Sequence, residues 1–472
     1  MRGTPEADFE SWVDAQVRRS AKGMLASISP LAIVKHRPGF GQTVRPVAGA
    51  IVASPVLADW DPDPDYFFHW FRDSALVIDA LRSLYADRLV GMEAGALHHL
   101  RDFTRFSLGL TRLDGRIDAA VPDRHARVSP EFLQFTRDDA DLARAHGDAV
   151  AGETRVNPDG TLDISRWARP QHDGPPLRAL AMLRWVAEGS LAAPLLAEAA
   201  ELIRFDLDFT LRHAREPSYD IWEEEIGHHY YTLRVSAAAL ADGAAWLAEQ
   251  GDLPEAQRCQ DESQAILGLL DGHWLEGDDA APGHYRSRMQ PDGQFGSAKS
   301  LDIAVILSAI HAPGTPATVH GVADPRTQAT LTRLEALFDA AYPINQARAP
   351  GHGPAMGRYE GDKYHSGGAW YISTLGAAEF CFRAAMSGTG AAGTTTVDAS
   401  GLDARDWFAR GDAYLATVRA YVPANGDLSE QFDQRTGEQT SAKHLAWSYA
   451  AFISCARARR AAAAAIGAAP RR

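Results

Sequence analysis

Four stretches of the chain set tryptophan or tyrosine beside charged side chains: residues 64–74 (PDYFFHWFRDS), 167–175 (WARPQHDGP), 219–225 (YDIWEEE) and 425–433 (NGDLSEQFD). A pyranose ring has an apolar face that stacks on aromatic rings and a rim of hydroxyls that needs charged or amide partners. The mixture points to sugar binding, and four occurrences in one chain weigh more than any one of them.

Each stretch also has a plainer reading. Asp73 or Ser74 would suit the start of the helix whose apolar face begins Leu76, Ala80, Leu81 and Leu84. Arg169 would be an exposed arginine in a turn stiffened by Pro and Gly. The run Glu223, Glu224 and Glu225 would ordinarily be a solvated face. Here it sits between Trp222 and the segment IGHHYYT at 226–232, a poor water-facing surface. Neighbouring carboxylates and an apolar wall both raise a carboxyl pKa, which is what a general acid needs. The fourth stretch supplies a second glutamate, Glu430, in a loop ahead of a helix containing Trp447 and Tyr449. Two carboxyls, one protonated and one ionised, are the minimum machinery of glycoside hydrolysis.

Helices must carry these loops. Spacings of three and four put Phe9, Trp12, Val13 and Val17 on one apolar face after a candidate cap, Asp8. The same periodicity predicts helices near 74–86, 90–109, 175–189, 191–214, 231–250, 254–271, 300–311, 326–340, 368–386, 404–421 and 441–464. Strand signal is thin, with its best case between Val44 and Val56. Long polar, aromatic-bearing loops fall at 110–173 and 273–299, lengths that usually signal function. A Gly/Thr-rich stretch at 387–397 and an alanine-rich end at 461–472 read as linker and frayed tail. The economical expectation is one all-α domain over 1–460, with helix pairs closed into a ring, and a C-terminal tail at 461–472.

Composition narrows the partners. Of 472 residues, 46% are hydrophobic, enough for a large core. The formal net charge of −14 repels phosphate backbones and anionic lipid, so neither nucleic acid nor a membrane is expected and a neutral substrate fits better. The three cysteines, Cys259, Cys381 and Cys455, read as small buried hydrophobes rather than a disulfide framework. The first residues lead into a charged amphipathic segment rather than a signal-peptide core, so a cytoplasmic location is expected, with export after removal of a leader as the alternative.

In order and spacing over about 8–455, these pieces resemble the fungal-type glucoamylases of glycoside hydrolase family 15. The resemblance rests on Tyr66, Phe67, Trp70, Arg72, Asp73 and Ser74, on the run at 167–175, and on Trp222, Glu223 and Glu224. It continues through Gly357, Arg358 and Tyr359 with Asp362, Tyr364, Gly367 and Trp370, and through the run at 429–433 to Trp447 and Tyr449. It implies an (α/α)6 barrel of six inner and six outer helices with a pocket at one end, inversion at the anomeric carbon, and no redox cofactor or catalytic metal. By match, Glu223 is the expected general acid and Glu430 the general base. Arg72, Asp73 and Arg358 would bond the terminal glucose, Tyr66 and Trp70 would line its pocket, and Gln431 would place sugar and water. Trp167, Trp222, Glu224, Tyr364 and Trp370 complete the expected substrate-binding set.

The chain also departs from the pattern. Glu225 adds a third carboxylate, and His69, Phe71 and His229 fall at variable positions expected to adjoin the pocket. The pairs His98-His99 and His228-His229 lack a recognisable ligand spacing, so no metal is expected. The expected substrates are α-1,4-linked malto-oligosaccharides and soluble maltodextrins rather than raw starch, acted on by a monomer. An exo-glucosidase preferring α-1,6 links or trehalose, and a non-catalytic glucan-binding or regulatory homologue, are the competing readings.

Overall fold

The computed structural model describes residues 5–59, 62–88, 93–278, 281–291, 297–313, 319–387 and 401–468. Among them are twelve α-helices of eight or more residues: α1 (Pro5–Ala26), α2 (Phe71–Ala86), α3 (Glu93–Leu110), α4 (Gly174–Ala187), α5 (Ala193–His213), α6 (Tyr230–Glu249), α7 (Leu253–Leu270), α8 (Ala304–His311), α9 (Pro325–Ala341), α10 (Tyr371–Ser387), α11 (Ala404–Tyr421) and α12 (Ala446–Ala468). Strands are short, so the chain is all-α, and the periodicity locates every long helix. Local chemistry sets several ends. Pro175 and Pro176 fall in the first turn of α4, where a missing N–H costs nothing. Asp324 caps α9 by accepting from Arg326 N at 2.9 Å. Asp403 and Asp406 form a reciprocal capping box on α11.

Four expectations need correction. α1 begins at Pro5, before Asp8, so Asp8 is not its cap. The alternation from Val44 to Val56 does not make a strand there: Gln42–Val44 pairs with Lys35–Arg37, and beyond it Ile51 makes only an isolated bridge. Gly49, at a φ of +89°, breaks that run. Within the alanine-rich end the described residues are helical, because α12 continues to Ala468 with Ala462 buried; alanine is the best helix former, and low complexity in such a run does not mean disorder. The loop at 110–173 holds short helices at Gly115–Ala119 and Asp139–Ala143. The stretch at 387–397 lies outside the described residues beyond Ser387.

The contacts divide the chain into two compact units. The first, here the Glu223 unit, comprises Leu25–Gly227 and Ala239–Ser263; the second, the Glu430 unit, comprises Met1–Met24, His228–Ala238 and Gln264–Arg472.

In the Glu223 unit α4 packs against α2 and α5, and α3 against α2 and α5. A bidentate Arg178–Asp206 pair at 2.9 and 2.7 Å joins α4 to α5 in the interior. Phe71, Phe106, Leu110, Leu142, Val156 and Leu162 form a core beneath the start of α2. Burying each such side chain is worth about 1.5–3 kcal/mol. Gly174 allows α4 to begin against that core, since a Cβ there would lie 2.6 Å from Phe71 Cβ. Two short antiparallel ladders complete the scaffold, His69–Trp70 with Arg155–Val156 and Ser218 and Tyr219 with Gly227 and Ile226.

In the Glu430 unit α10 packs against α8, α11 and α12 and is buried around nearly its whole circumference. Gly411 of α11 admits the Phe382 ring, which a Cβ would meet at 2.5 Å. A three-stranded antiparallel ladder runs in the order Ala369–Trp370, Gln431–Phe432, Gln439–Thr440. Cys259, Cys381 and Cys455 are free thiols buried in helices, as the composition predicts.

Candidate active site

The stretch 64–74 enters α2 as extended chain, and extension sorts its aromatics by alternation. Tyr66, Phe68 and Trp70 cluster on one side, with ring centroids 5.1 Å apart for Tyr66 and Trp70 and 5.9 Å for Phe68 and Trp70. His69 and Phe71 turn the other way into the core, where His69 packs on Phe106 at 4.9 Å. His69 and Phe71 therefore belong to the core and not to the pocket, and His229 is likewise buried. Burial and the nearby Arg178 charge push the His69 pKa down to about 3, so the ring is neutral and accepts from Ile51 N at 3.0 Å.

Arg72 and Asp73 occupy the first turn of α2, whose N-cap is Trp70. Asp73 thus does not cap the helix. Arg72 reaches Asp73 at 3.1 Å, Asp173 at 3.6 Å and Glu223 at 3.0 Å. Burial disfavours the Arg72 charge, but those three carboxylates more than offset it and hold the proton above the usual arginine range. Burial pushes the carboxyls of Asp73 and Asp173 up to about 6; Arg72 opposes the rise in each, and the nearby Glu223 carboxylate adds to it.

Glu223 sits on a tight turn that one side chain organises. The Asp220 carboxylate accepts from Trp222 N at 2.7 Å and Glu225 N at 2.8 Å, and Asp220 O accepts from Glu223 N at 2.9 Å. Gln171 fastens the turn by donating to Asp220 O at 2.8 Å. Within it Glu223 has a φ of +66°, a left-handed conformation costing roughly 1–2 kcal/mol in an L residue. The carboxylate it presents is only 11% exposed. Trp70 Nε1 donates to Oε1 at 2.8 Å, Arg72 Nη2 donates to the same oxygen at 3.0 Å, and Trp167 Nε1 donates to Oε2. Trp222 is buried and Glu224 half-buried beside it, so the glutamate run is not a solvated face.

Arg155 was not singled out by its local sequence. Its strand register places it opposite Trp70. The guanidinium is fully buried, lying 3.5 Å from the Trp167 ring centroid, 4.0 Å from Phe68 and 4.8 Å from Trp70. Asp163 balances it at 2.9 Å and also pairs with Arg169 at 3.1 Å. The Asn-Pro-Asp-Gly turn within RVNPDGTLD, with a short arm on either side, is the signal that would have found it, because a strand there must pair with a neighbour.

The Glu430 unit gathers the remaining residues. Arg358 grips Asp362 in bidentate fashion at 2.7 and 2.6 Å, and its guanidinium stands 4.9 Å from the Trp370 ring and 5.4 Å from Tyr364. Gly357 precedes it because a Cβ there would strike the Tyr342 hydroxyl. Tyr364 and Trp370 stack at 6.2 Å. Trp370 pairs in register with Gln431, whose amide oxygen accepts from Ser366 Oγ at 3.2 Å. Glu430, 4% exposed, is pinned through its main chain, N to Ala442 O at 2.8 Å and O from Tyr371 N at 3.2 Å. The Ser441 hydroxyl donates to its carboxylate from a backbone with φ of +64°.

Within the Glu223 unit a carboxyl accepts from two indoles and a guanidinium; within the Glu430 unit there are a second buried carboxyl and an arginine–aromatic platform. The family model for glycosyl hydrolases family 15 matches residues 38–110 and 151–457. The chain belongs to that family. Among curated relatives it is 28% identical over 473 residues to the probable glucoamylase of Schizosaccharomyces pombe, covering 95% of this chain and 91% of the relative. It is 26% identical to the intracellular sporulation-specific glucoamylase of Saccharomyces cerevisiae, covering 94% and 83%. The solved glucoamylase of Hormoconis resinae superposes with a TM-score of 0.75 at 25% identity, covering 96% of this chain and 74% of that one. That of Saccharomycopsis fibuligera gives 0.75 at 23% identity, covering 97% and 96%. The fold class is the (α/α)6 type that the sequence resemblance implies, and the chain is a glycosidase of this family. Among the described residues no helix is long and apolar enough to cross a membrane.

Proposed function

We propose that the protein is a glucoamylase that removes glucose from the non-reducing ends of α-1,4-linked malto-oligosaccharides and soluble starch with inversion. The observation that supports this best is the match to family 15, within which Glu223 lies among Trp70, Trp167 and Arg72. In this reading Glu223 gives its proton to the glycosidic oxygen as the C1–O bond breaks. Glu430 takes a proton from water, whose oxygen forms the new bond to C1 from the opposite face. One water is consumed, β-glucose leaves, and solvent exchange returns both carboxyls to their starting protonation. Arg72, Asp73 and Arg358 hold the hydroxyls of the terminal glucose against Tyr66 and Trp70, while Gln431 places sugar and water. Trp167, Trp222, Glu224, Tyr364 and Trp370 shape the space for the next residue.

Proton NMR of early products from maltotriose tests the reading directly, because it sees the anomer before mutarotation. β-Glucose as the first product supports it, and α-glucose overturns inversion. Relative rates on maltose, isomaltose and trehalose assign the linkage, with maltose expected to lead. A crystal structure should place the two carboxyls about 6.5–9.5 Å apart, whereas about 5 Å would indicate retention.

A further inference from the structure

Two residues in the loop opposite Glu430 hold a backbone conformation uncommon for L residues. Ser441 has a φ of +64° and His444 a φ of +51°, with Ala442 and Lys443 between them. Histidine is among the few side chains enriched there, and such strain persists only where the surroundings over-determine it. For Ser441 the surroundings are plain, since its hydroxyl donates to the Glu430 carboxylate. His444 turns its ring to Tyr449 of α12, with Nδ1 2.8 Å from the hydroxyl.

The Tyr449 hydroxyl is engaged on its other side as well. It accepts the Leu428 N–H at 3.2 Å, two residues before Glu430. Its ring is buried and closely packed, because a Cβ on Gly23 of α1 would stand 2.5 Å from it. Burial pushes the hydroxyl pKa up to about 12, so it keeps its proton and needs an acceptor. His444 Nδ1 lies at the distance of that acceptor. The imidazole proton then sits on Nε2, 3.9 Å from the Asp427 carboxylate. The order is Leu428 N–H to Tyr449 O–H to His444 Nδ1.

The rest of the Glu430 loop is tied on both sides of Leu428. Gln16 and Arg19 of α1 donate to Gly426 O at 2.8 Å and Ala424 O at 3.1 Å. Leu445 N donates to Leu428 O at 3.2 Å, and the Ser448 hydroxyl to Ser429 O at 2.8 Å. We propose that His444 is a positioning residue for Glu430: by accepting the Tyr449 proton it aims the hydroxyl at Leu428 N and sets the path of the chain into the carboxylate. The proposal rests on the reading of Glu430 as the base that activates water. Water must be activated whatever group leaves, so a misplaced base should slow maltose and α-glucosyl fluoride alike.

Turnover of those two substrates at pH 7, with hydrogen exchange across residues 425–433, decides the matter. His444→Gly removes the ring while suiting the positive φ, so it separates the imidazole from its backbone. It should lower kcat about fivefold on both substrates, leave KM within about twofold, and speed exchange at Leu428. His444→Asn tolerates the same φ and offers an amide oxygen near the place of Nδ1, so it should restore most of the turnover and protection. Tyr449→Phe strips Leu428 N of its acceptor and should lose at least as much as His444→Gly. Unchanged kcat in His444→Gly, even with a lowered melting temperature, would make the residue structural only and overturn the proposal. So would a loss confined to maltose, which belongs to proton donation. Should the unmutated protein cleave neither substrate, the glucoamylase reading falls; exchange at Leu428 still judges the relay, and unchanged exchange in His444→Gly and Tyr449→Phe would refute it.

Discussion

The surroundings of Glu223 and Glu430 are built by opposite means. Glu223 stands on a strained turn, and its donors come from Trp70, Arg72 and Trp167, residues far away in sequence. Glu430 is pinned chiefly by its own neighbourhood, with Ala442 and Ser441 a dozen positions on and the start of α10 beside it. On the proposed reading Glu223 is the proton donor, a role that needs one geometry through the reaction, and rigid indole and guanidinium donors impose it. Glu430, the proposed base, has its main chain fixed and a rotatable hydroxyl on its carboxylate. Distant substitutions in the Glu223 unit should therefore reach the chemistry through the donors, whereas the Glu430 surroundings should answer mainly to local changes.

The sharpest break of that comparison is to neutralise each carboxyl in turn. Glu430→Gln keeps shape but removes the proposed base, and general-base assistance is worth about 10²–10⁴ in rate, or about 3–5 kcal/mol of barrier. Glu223→Gln should lose a similar factor on maltose, whose leaving alcohol is basic, but much less on α-glucosyl fluoride, whose leaving group needs little protonic help. Initial rates on the two substrates separate these outcomes. Equal loss of Glu223→Gln on both would end its assignment as acid.

The helices were legible in the sequence, and the two glutamates could be proposed from it, because both signals are local. Helical periodicity repeats within each segment, and the WEE and SEQFD runs are short contiguous stretches that lie inside the family match. The partners of Glu223 were named as pocket residues, but not their convergence on one carboxylate, which depends on long-range packing. Alternation within 66–71 decides which aromatics face the site, yet it becomes readable only once the stretch is known to be extended. Arg155, Asp220 and Ser441 were missed as supports for the same reason. Each is an ordinary polar residue until strand register or a turn shows what it touches. The broken strand at 44–56 shows the converse: alternation misleads where Gly49 needs a positive φ.

A second test uses the buried charges around Arg72. Asp173 is pushed up to about 6, chiefly by burial, so between its ordinary value near 3.8 and about 6 the folded state binds more protons than the unfolded one. Stability from this group therefore falls as pH rises through that window, by on the order of 2–3 kcal/mol in full. Desolvated histidines act in the opposite direction, with His69 lowered to about 3 and His172, His273 and His284 to about 4, so the total curve hides the effect. The difference between the unmutated protein and Asp173→Asn isolates it. Urea unfolding from pH 4 to 7 should show that difference moving steadily in favour of the variant. A pH-independent difference would mean that Arg72 keeps Asp173 ionised throughout.

The smallest expected effect tests whether the Glu223 donors are held from behind. Arg155→Lys keeps a buried cation near Asp163 but replaces a planar group, able to lie against the Trp167 and Phe68 rings together, with a compact ammonium. A cation–π contact of this kind is worth about 0.5–2 kcal/mol. Trp167 also borders a cavity of about 460 Å³, so packing leaves its ring room to turn once the stack is weakened. The indole N–H would then spend less time on Glu223, and the substrate that needs the proton should notice. Maltose turnover should drop about fivefold, with α-glucosyl fluoride changed less than about twofold and melting temperature nearly preserved. A matched loss on both substrates would show that Arg155 serves only the stability of its unit. No loss on either would show that Trp167 is fixed by Trp70 and its own loop, and that the donors of Glu223 need no support from the 155–156 strand.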